Sequence, residues 1–296
     1  MFIFGPTGIG KTELACEVAE GIGEIISVDS MQVYRGLDRG TAKPSAEQLR
    51  KVPHHLVSIV PPDYRFSAGD FKRLASDAVS SILRRGKIPI LVGGTGLYFK
   101  ALEYDFIDAP SANTGLREAL YRKEEKQKGS LYCELASVDP EAARSIHPND
   151  LVRVVRAIEI YRTSGVRFSD YCRRDREPQF ETMKIGLTID RAELYRRIEA
   201  RCRGMIRERL DQEVKDLLKR GYGEQYPSMK GLGYSHYIQF FKGCYSAEET
   251  ERLFIRDTKR YAKRQLTWFR KEPGTIWHAP SDVRAIRKSV ESLLAR

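Results

Sequence analysis

The run Gly5-Pro6-Thr7-Gly8-Ile9-Gly10-Lys11-Thr12 constrains this chain more than any other stretch, because it dictates what must precede and follow it. It fits the phosphate-loop pattern G-x-x-x-x-G-K-[ST] at every fixed position, a pattern that works between the end of a strand and the start of a helix. The apolar Phe2-Ile3-Phe4 before it and the helix-like Glu13-Leu14-Ala15-Cys16-Glu17-Val18-Ala19 after it supply that frame. Glycines let successive backbone N–H groups turn inward around a polyphosphate at the positive end of the helix. In such a loop Lys11 reaches the terminal phosphate and Thr12 holds Mg²⁺. The loop alone leaves open whether the bound group is a nucleoside triphosphate or a diphosphate.

Downstream, Glu24-Ile25-Ile26-Ser27-Val28 has the pattern of a strand that ends at Asp29-Ser30. A carboxylate at a strand end beside a phosphate loop faces the ligand crevice, which makes Asp29 a candidate on position alone. His54 and His55 are adjacent and point to opposite sides of an extended chain, so joint metal ligation is not expected. Ser67 and Asp70 form a helix start, followed at helical spacing by Phe71, Leu74, Ala75, Ala78, Val79, Ile82 and Leu83. Ile88-Pro89-Ile90-Leu91-Val92 is a nearly continuous apolar run, the mark of a strand buried on both faces, and it ends in Gly93-Gly94-Thr95-Gly96-Leu97-Tyr98. Two glycine-rich turns and Asp29 can thus converge at the carboxyl ends of a parallel sheet.

From Pro110 the chain becomes polar and helical, with the solvated stretch Arg122 to Lys128 and a helix carrying Leu151, Val154, Val155, Ile158 and Tyr161 on one face. Arg153 and Arg156 share its other side. Lys184-Ile185-Gly186-Leu187-Thr188-Ile189 returns to strand character. The expected architecture is α/β: a P-loop NTPase-like parallel sheet flanked by helices, with core residues 1–109 and 184–296 around an all-helical insertion at 110–183. Asp190 and Glu193 are expected to cap one long helix running to Gly221, on which Arg197 and Arg201 could reach one anion together. A glycine-rich turn, Met229 to Tyr234, precedes a last long helix capped by Ser246 and Glu249. That helix repeats arginine every fourth residue at Arg252, Arg256, Arg260 and Arg264, flanked by Lys259 and Lys263, a ridge suited to phosphate contacts. Trp277 is expected to pack in a final strand, Thr275 to His278.

Composition sharpens the choice of partner. Lys and Arg total 51 against 40 Asp and Glu, a net charge of +11, which points toward a polyanion. Five cysteines without a C-x-x-C pair or a histidine at metal spacing support neither a disulfide framework nor zinc, which fits a reducing cytoplasm. No signal peptide is evident, and no stretch approaches the ~20 apolar residues of a membrane span.

At this point the residues resemble a known family, the tRNA dimethylallyltransferases or tRNA isopentenyltransferases, of the bacterial type without the eukaryotic zinc-finger extension. The resemblance runs in order through GPTGIGKT at 5–12, DSMQVY at 29–34, GTAKP at 40–44, GGTGLY at 93–98, HPNDLVRVVRAIE at 147–159 and KRQLTW at 263–268. It implies transfer of the dimethylallyl group from dimethylallyl diphosphate to N6 of the adenosine immediately 3′ of a tRNA anticodon. The loop from Gly5, Pro6, Thr7, Gly8, Ile9 and Gly10 to Lys11 and Thr12 would then hold a diphosphate leaving group, with Mg²⁺ on Thr12 and with Arg201 nearby. Asp29 matches the general base, and Thr95 a threonine near the diphosphate and the bound nucleotide. The anticodon stem-loop would be met by Asp29, Ser30, Met31, Gln32 and Thr95. Arg117, Val152, Arg153, Val154, Val155 and Arg156 would add contacts from the insertion, which closes over the loop. Lys230, Gly233, Tyr234, Arg256, Lys259, Arg260, Lys263, Arg264 and Gln265 would complete them. Lys230 stands where the family more often has arginine. The implied enzyme is cytoplasmic and monomeric, with no membrane partner. Two other classes stay open: a phosphate-loop kinase using Asp29 toward a substrate hydroxyl and consuming ATP, and an RNA-binding protein with a vestigial loop.

Overall fold

The computed structural model describes residues 1–104, 109–172 and 177–294. Among these, β1 (Phe2–Phe4), β2 (Gly23–Val28), β3 (His54–His55), β4 (Ile88–Gly93), β5 (Lys184–Leu187) and β6 (Thr275–His278) form one sheet. Its order is β3-β2-β4-β1-β5-β6, and all neighbours are parallel. Because β1 lies between β4 and β5, the phosphate loop leaves the sheet near its middle, where an open α/β sheet presents its crevice.

The helices are α1 (Lys11–Ala19), α2 (Ala46–Lys51), α3 (Ala68–Arg84), α4 (Gly96–Glu103), α5 (Thr114–Lys126), α6 (Ser130–Val138), α7 (Pro140–Ser145), α8 (Leu151–Ser164), α9 (Phe168–Cys172), α10 (Arg191–Arg207), α11 (Leu210–Lys219), α12 (Tyr234–Phe241), α13 (Ala247–Phe269) and α14 (Val283–Leu294). None is long and apolar enough to cross a membrane.

Strand alternation sorts the core into two layers. Ile3, Ile25, Ile90 and Ile185 pack with residues of α1, α10, α11 and α14. Phe2, Phe4, Ile26 and Leu91 face the other way, onto α3, α4 and Phe269 at the end of α13. Phe4 stacks on Phe269 at 4.5 Å between ring centroids and meets Phe99 edge-on. The short β1 is thus held by large rings as well as by its two ladders.

Contacts divide the chain into Met1–Glu103 with Phe180–Arg296, and Tyr104–Gln179. The second unit has its own core, in which Leu120, Leu131, Leu135, Val154, Val155 and Ile158 meet. Its limits differ from the expected 110–183 because the Met183 carbonyl already accepts a hydrogen bond from the Phe2 N–H, while Tyr104 bridges Pro178. At the edge of the sheet unit Lys184 and Glu103 form a buried ion pair at 2.6 Å.

The single long helix expected from Asp190 to Gly221 is two helices. Arg209 adopts a left-handed conformation (φ 68°) between α10 and α11, where the apolar stripe runs on without interruption. After the break, Glu213 of α11 accepts hydrogen bonds from the backbone N–H groups of Arg39 and Gly40.

Candidate functional site

A cavity of about 630 Å³ opens where the strands end, lined by the phosphate loop, the 29–32 and 40–43 loops, α10, the 230–234 turn and α13. Gly8 and Gly10 have φ of 80° and 97°, which only glycine adopts without strain, and a Cβ on Gly8 would come within 2.9 Å of Ile198. Thr7, Gly8, Gly10, Lys11 and Thr12 line the cavity. Gly5 instead packs on Leu187, and Ile9 is fully buried in the core. Lys11 Nζ donates to the carbonyls of Gly5 and Pro6 at 3.0 and 2.9 Å. Burial, and then the nearby Arg201, push its pKa down to about 8. Arg201 projects from α10 into the same cavity, and burial holds its guanidinium below the usual range. Two cations held this close and this dry favour an anion between them.

Asp29, at the end of β2, turns its Oδ1 back to accept from the N–H groups of Met31 (2.8 Å) and Gln32 (3.2 Å). That fixes the carboxylate on the cavity wall without using Oδ2. Thr95 is not itself on the wall, but its Oγ1 accepts from the Ser30 N–H at 3.3 Å and so ties the second glycine turn to the Asp29 loop. Gln32 receives the Ser27 hydroxyl and donates to the carbonyls of Thr41 and Ala42. Lys43 is spent on Asp38, Ser58 and the Tyr34 carbonyl. On the far side Tyr234 is buried, donates to Glu213 at 2.7 Å, and packs so closely on Gly40 that a Cβ there would meet its ring at 2.5 Å. Gly231 is pressed in the same way against Met31. The glycines of GTAKP and of the 230–234 turn therefore exist for close approach.

Ile198, Cys202, Met205, Leu232 and Phe254 give the cavity an apolar side. Burial raises the Cys202 thiol, so it behaves as a small hydrophobe rather than a nucleophile. Tyr261 is also in the cavity, its hydroxyl pushed up to about 12 by burial and near Thr95 and Gln265. Sequence reasoning missed Tyr261, Glu213 and this apolar side. For Phe254 the available signal was spacing, since Phe254, Thr258, Ala262, Gln265 and Phe269 belong to the buried stripe of α13.

Other expected site residues lie elsewhere. Arg197 points away from the cavity and pairs with Glu193 at 2.7 Å, so it does not share an anion with Arg201. In the helical unit Arg117 and Arg156 both grip Glu159, which is 0% exposed, at 2.8 and 2.6 Å. Arg153 pairs with Asp150; Val154 and Val155 are core, whereas Val152 is 70% exposed. On α13, Arg256 and Arg260 share Asp257, Lys259 pairs with Glu199, and Lys263 is exposed. Lys230, Tyr234, Arg264 and Gln265 line the cavity, beside Ser30, Met31 and Gln32, while Gly233 lies just behind it against Leu210 and Phe254.

For a metal, Thr12, Glu13 and Asp29 are hard oxygen donors among the residues that line the cavity. Among the described residues no group of three or more His, Cys, Asp or Glu could hold an ion by itself. Few protein carboxylates beside a phosphate site is the donor set that suits Mg²⁺, which keeps waters and borrows phosphate oxygens.

A family model described as IPP transferase matches residues 32–272. The tRNA dimethylallyltransferase of Desulforudis audaxviator (strain MP104C) is 47% identical over 278 residues, 93% of this chain and 90% of that protein. That of Geobacter sulfurreducens (strain ATCC 51573 / DSM 12127 / PCA) is 44% identical over 282 residues, 94% and 90% of the two chains. Among solved structures, the full-length tRNA isopentenylpyrophosphate transferase from Bacillus halodurans superposes with a TM-score of 0.74 at 37% identity, covering 98% of this chain and 95% of that one. A eukaryotic dimethylallyltransferase described as acting on tRNA gives a TM-score of 0.78 at 28% identity, covering 90% and 68%.

Proposed function

The chain belongs to the IPP transferase family of enzymes, and from that premise we propose that it transfers the dimethylallyl group of dimethylallyl diphosphate to N6 of the adenosine immediately 3′ of a tRNA anticodon, giving N6-dimethylallyladenosine. The observation that carries this reading is that Asp29, Lys11 and Arg201 line one cavity whose other side is apolar. A five-carbon allylic chain needs the apolar side, its diphosphate the cations, and the incoming amine a carboxylate.

In the reaction the N6 lone pair forms a bond to C1 of the allyl group as the C1–O bond breaks. The bonding pair leaves with the diphosphate. Lys11, Arg201 and the loop N–H groups meet the charge that develops there. The proton shed by the amine goes to Asp29, a contribution of about 10²–10⁴-fold for a positioned base. Mg²⁺, held by Thr12 with Asp29 or Glu13 in reach, would neutralise leaving-group charge when bound. The adenosine must leave the anticodon stack to enter the cavity, at a cost of a few kcal/mol that is least in a loop. Phosphates of the stem-loop would lie along Arg256, Lys259, Arg260, Lys263 and Arg264, with further contacts from Arg117 and residues 152–156 of the helical unit. The reading includes a cytoplasmic, monomeric enzyme.

Unmodified tRNA incubated with the protein, dimethylallyl diphosphate and Mg²⁺, with ATP alone run in parallel, tests it by mass spectrometry. Gain of one five-carbon unit at an anticodon-loop adenosine is expected. No gain, together with consumption of ATP, would overturn the reading in favour of a kinase.

A further inference from the structure

We infer that Gln265 is a positioning residue of the transfer reaction, not an RNA contact, and that its carboxamide sets the phosphate loop in register with the turn that holds the Asp29 loop. The inference rests on the function proposed above. Gln265 belongs to the buried stripe of α13 and is 7% exposed. Its two ends are used in opposite directions. Oε1 accepts from the Thr7 N–H at 2.8 Å, and Nε2 donates to the Gly94 carbonyl at 2.9 Å. The approach to Gly94 is close enough that a Cβ there would fall 2.1 Å from Nε2. One turn earlier Tyr261 reaches both Gln265 and Thr95.

The consequence is a chain of contacts across the cavity. The Thr7 N–H is taken by Gln265, although Thr7 itself stays on the cavity wall, which leaves the following loop N–H groups to an anion. Gly94 is fixed at the other end of the same side chain, and the next residue, Thr95, holds the Ser30 N–H beside Asp29. To the backbone pairing of β1, β4 and β2 the carboxamide adds a side-chain link between the leaving-group site and the turn that reaches the Asp29 loop. No other side chain bonds both glycine turns among the described residues. Arg264, the neighbouring residue, lines the same cavity but is exposed, whereas Gln265 is buried.

Two substitutions separate this role from its alternatives. Gln265→Met keeps the volume and removes both hydrogen bonds. It is expected to raise the dissociation constant of Mg²⁺-pyrophosphate about tenfold and to slow single-turnover transfer about 10²-fold, with tRNA affinity unchanged. Gln265→Glu keeps an acceptor for Thr7, so pyrophosphate affinity should survive. Transfer should fall where the carboxylate is ionised against the Gly94 carbonyl, and recover relative to wild type as the pH is lowered. Loss of tRNA affinity with pyrophosphate binding intact would overturn the inference in favour of an RNA contact. Losses in both variants that only track the folded fraction would reduce Gln265 to packing. If the Met variant does not fold, the pH profile of Gln265→Glu decides alone. If wild type transfers nothing, the proposed function and the positioning role in transfer fall together, and pyrophosphate binding then reads only whether Gln265 orders the phosphate loop.

Discussion

Arg117 and Arg156 of the helical unit converge on Glu159, and that carboxylate also accepts the Asn113 N–H at 2.6 Å. In the cavity Lys11 and Arg201 lie close enough for Arg201 to depress the pKa of Lys11, whose Nζ donates to the carbonyls of Gly5 and Pro6 rather than to a carboxylate. The first arrangement is complete: a buried acid with its lone pairs filled orders α5 and α8 around it. The second is a deficit: Asp29 and Glu13 offset the two desolvated cations only in part, since burial still holds both below their usual range, and an incoming anion would relieve the rest. The comparison teaches that at these two places the paired charge orders helices while the underpaired charge stands open to a ligand, even though both involve arginine in helical surroundings.

The sharpest way to break the comparison is at the cavity acid. Asp29→Ala should slow single-turnover transfer by about 10²-fold or more with tRNA affinity kept, and near-normal turnover would remove Asp29 from the chemistry. Next comes the acid of the helical unit. Glu159→Ala leaves two arginines and a helix-start N–H without their partner, at a cost on the order of 3 kcal/mol. Thermal unfolding and tRNA binding should report that loss while dimethylallyl diphosphate affinity is retained; a parallel loss of diphosphate affinity would mean the two charge systems are not separate.

A smaller effect follows from Lys11. Its folded pKa of about 8 lies below its ordinary 10.5. Between those values the unfolded chain holds the proton and the folded chain does not, so stability rises with pH across that window. Anion affinity runs the other way: it should fall above about pH 8, by up to about tenfold per unit, and Lys11→Arg should flatten the profile. An identical fall in Lys11→Arg would assign the titration to another group. The smallest effect is on the outer face of α13. Arg256 and Arg260 are already shared with Asp257, so the double alanine variant should lower the salt slope of tRNA binding by only about one to two. An unchanged slope would make them ordinary solvated surface.

Much of the site is local in sequence, which is why it is legible there. A phosphate loop, a carboxylate at a strand end and a second glycine turn are each set by a few consecutive residues, and a parallel sheet brings them to one edge. The two-layer α/β body follows from the same runs. What escaped depends on choices between partners. Arg197 and Arg201 are one turn apart, but Glu193 is four residues before Arg197 and captures it. The break at Arg209 carries no glycine or proline, and Ile206, Leu210, Val214 and Leu217 continue the stripe across it. Glu159 looks like a polar position on a helix face until the fold sets Arg117 over it. Gln265 entered the sequence reading only as an implied RNA contact, because what it bonds lies 258 residues away in sequence.

Calorimetric titration of dimethylallyl diphosphate with Mg²⁺ into wild type, Arg201→Ala and Arg117→Ala tests the contrast most directly. Removing a cation from the deficit should weaken binding by about 10–100-fold, and removing one from the completed pair should leave it unchanged. Equal affinity in wild type and Arg201→Ala, or a loss confined to Arg117→Ala, would contradict the assignment of the cavity cations to the leaving group.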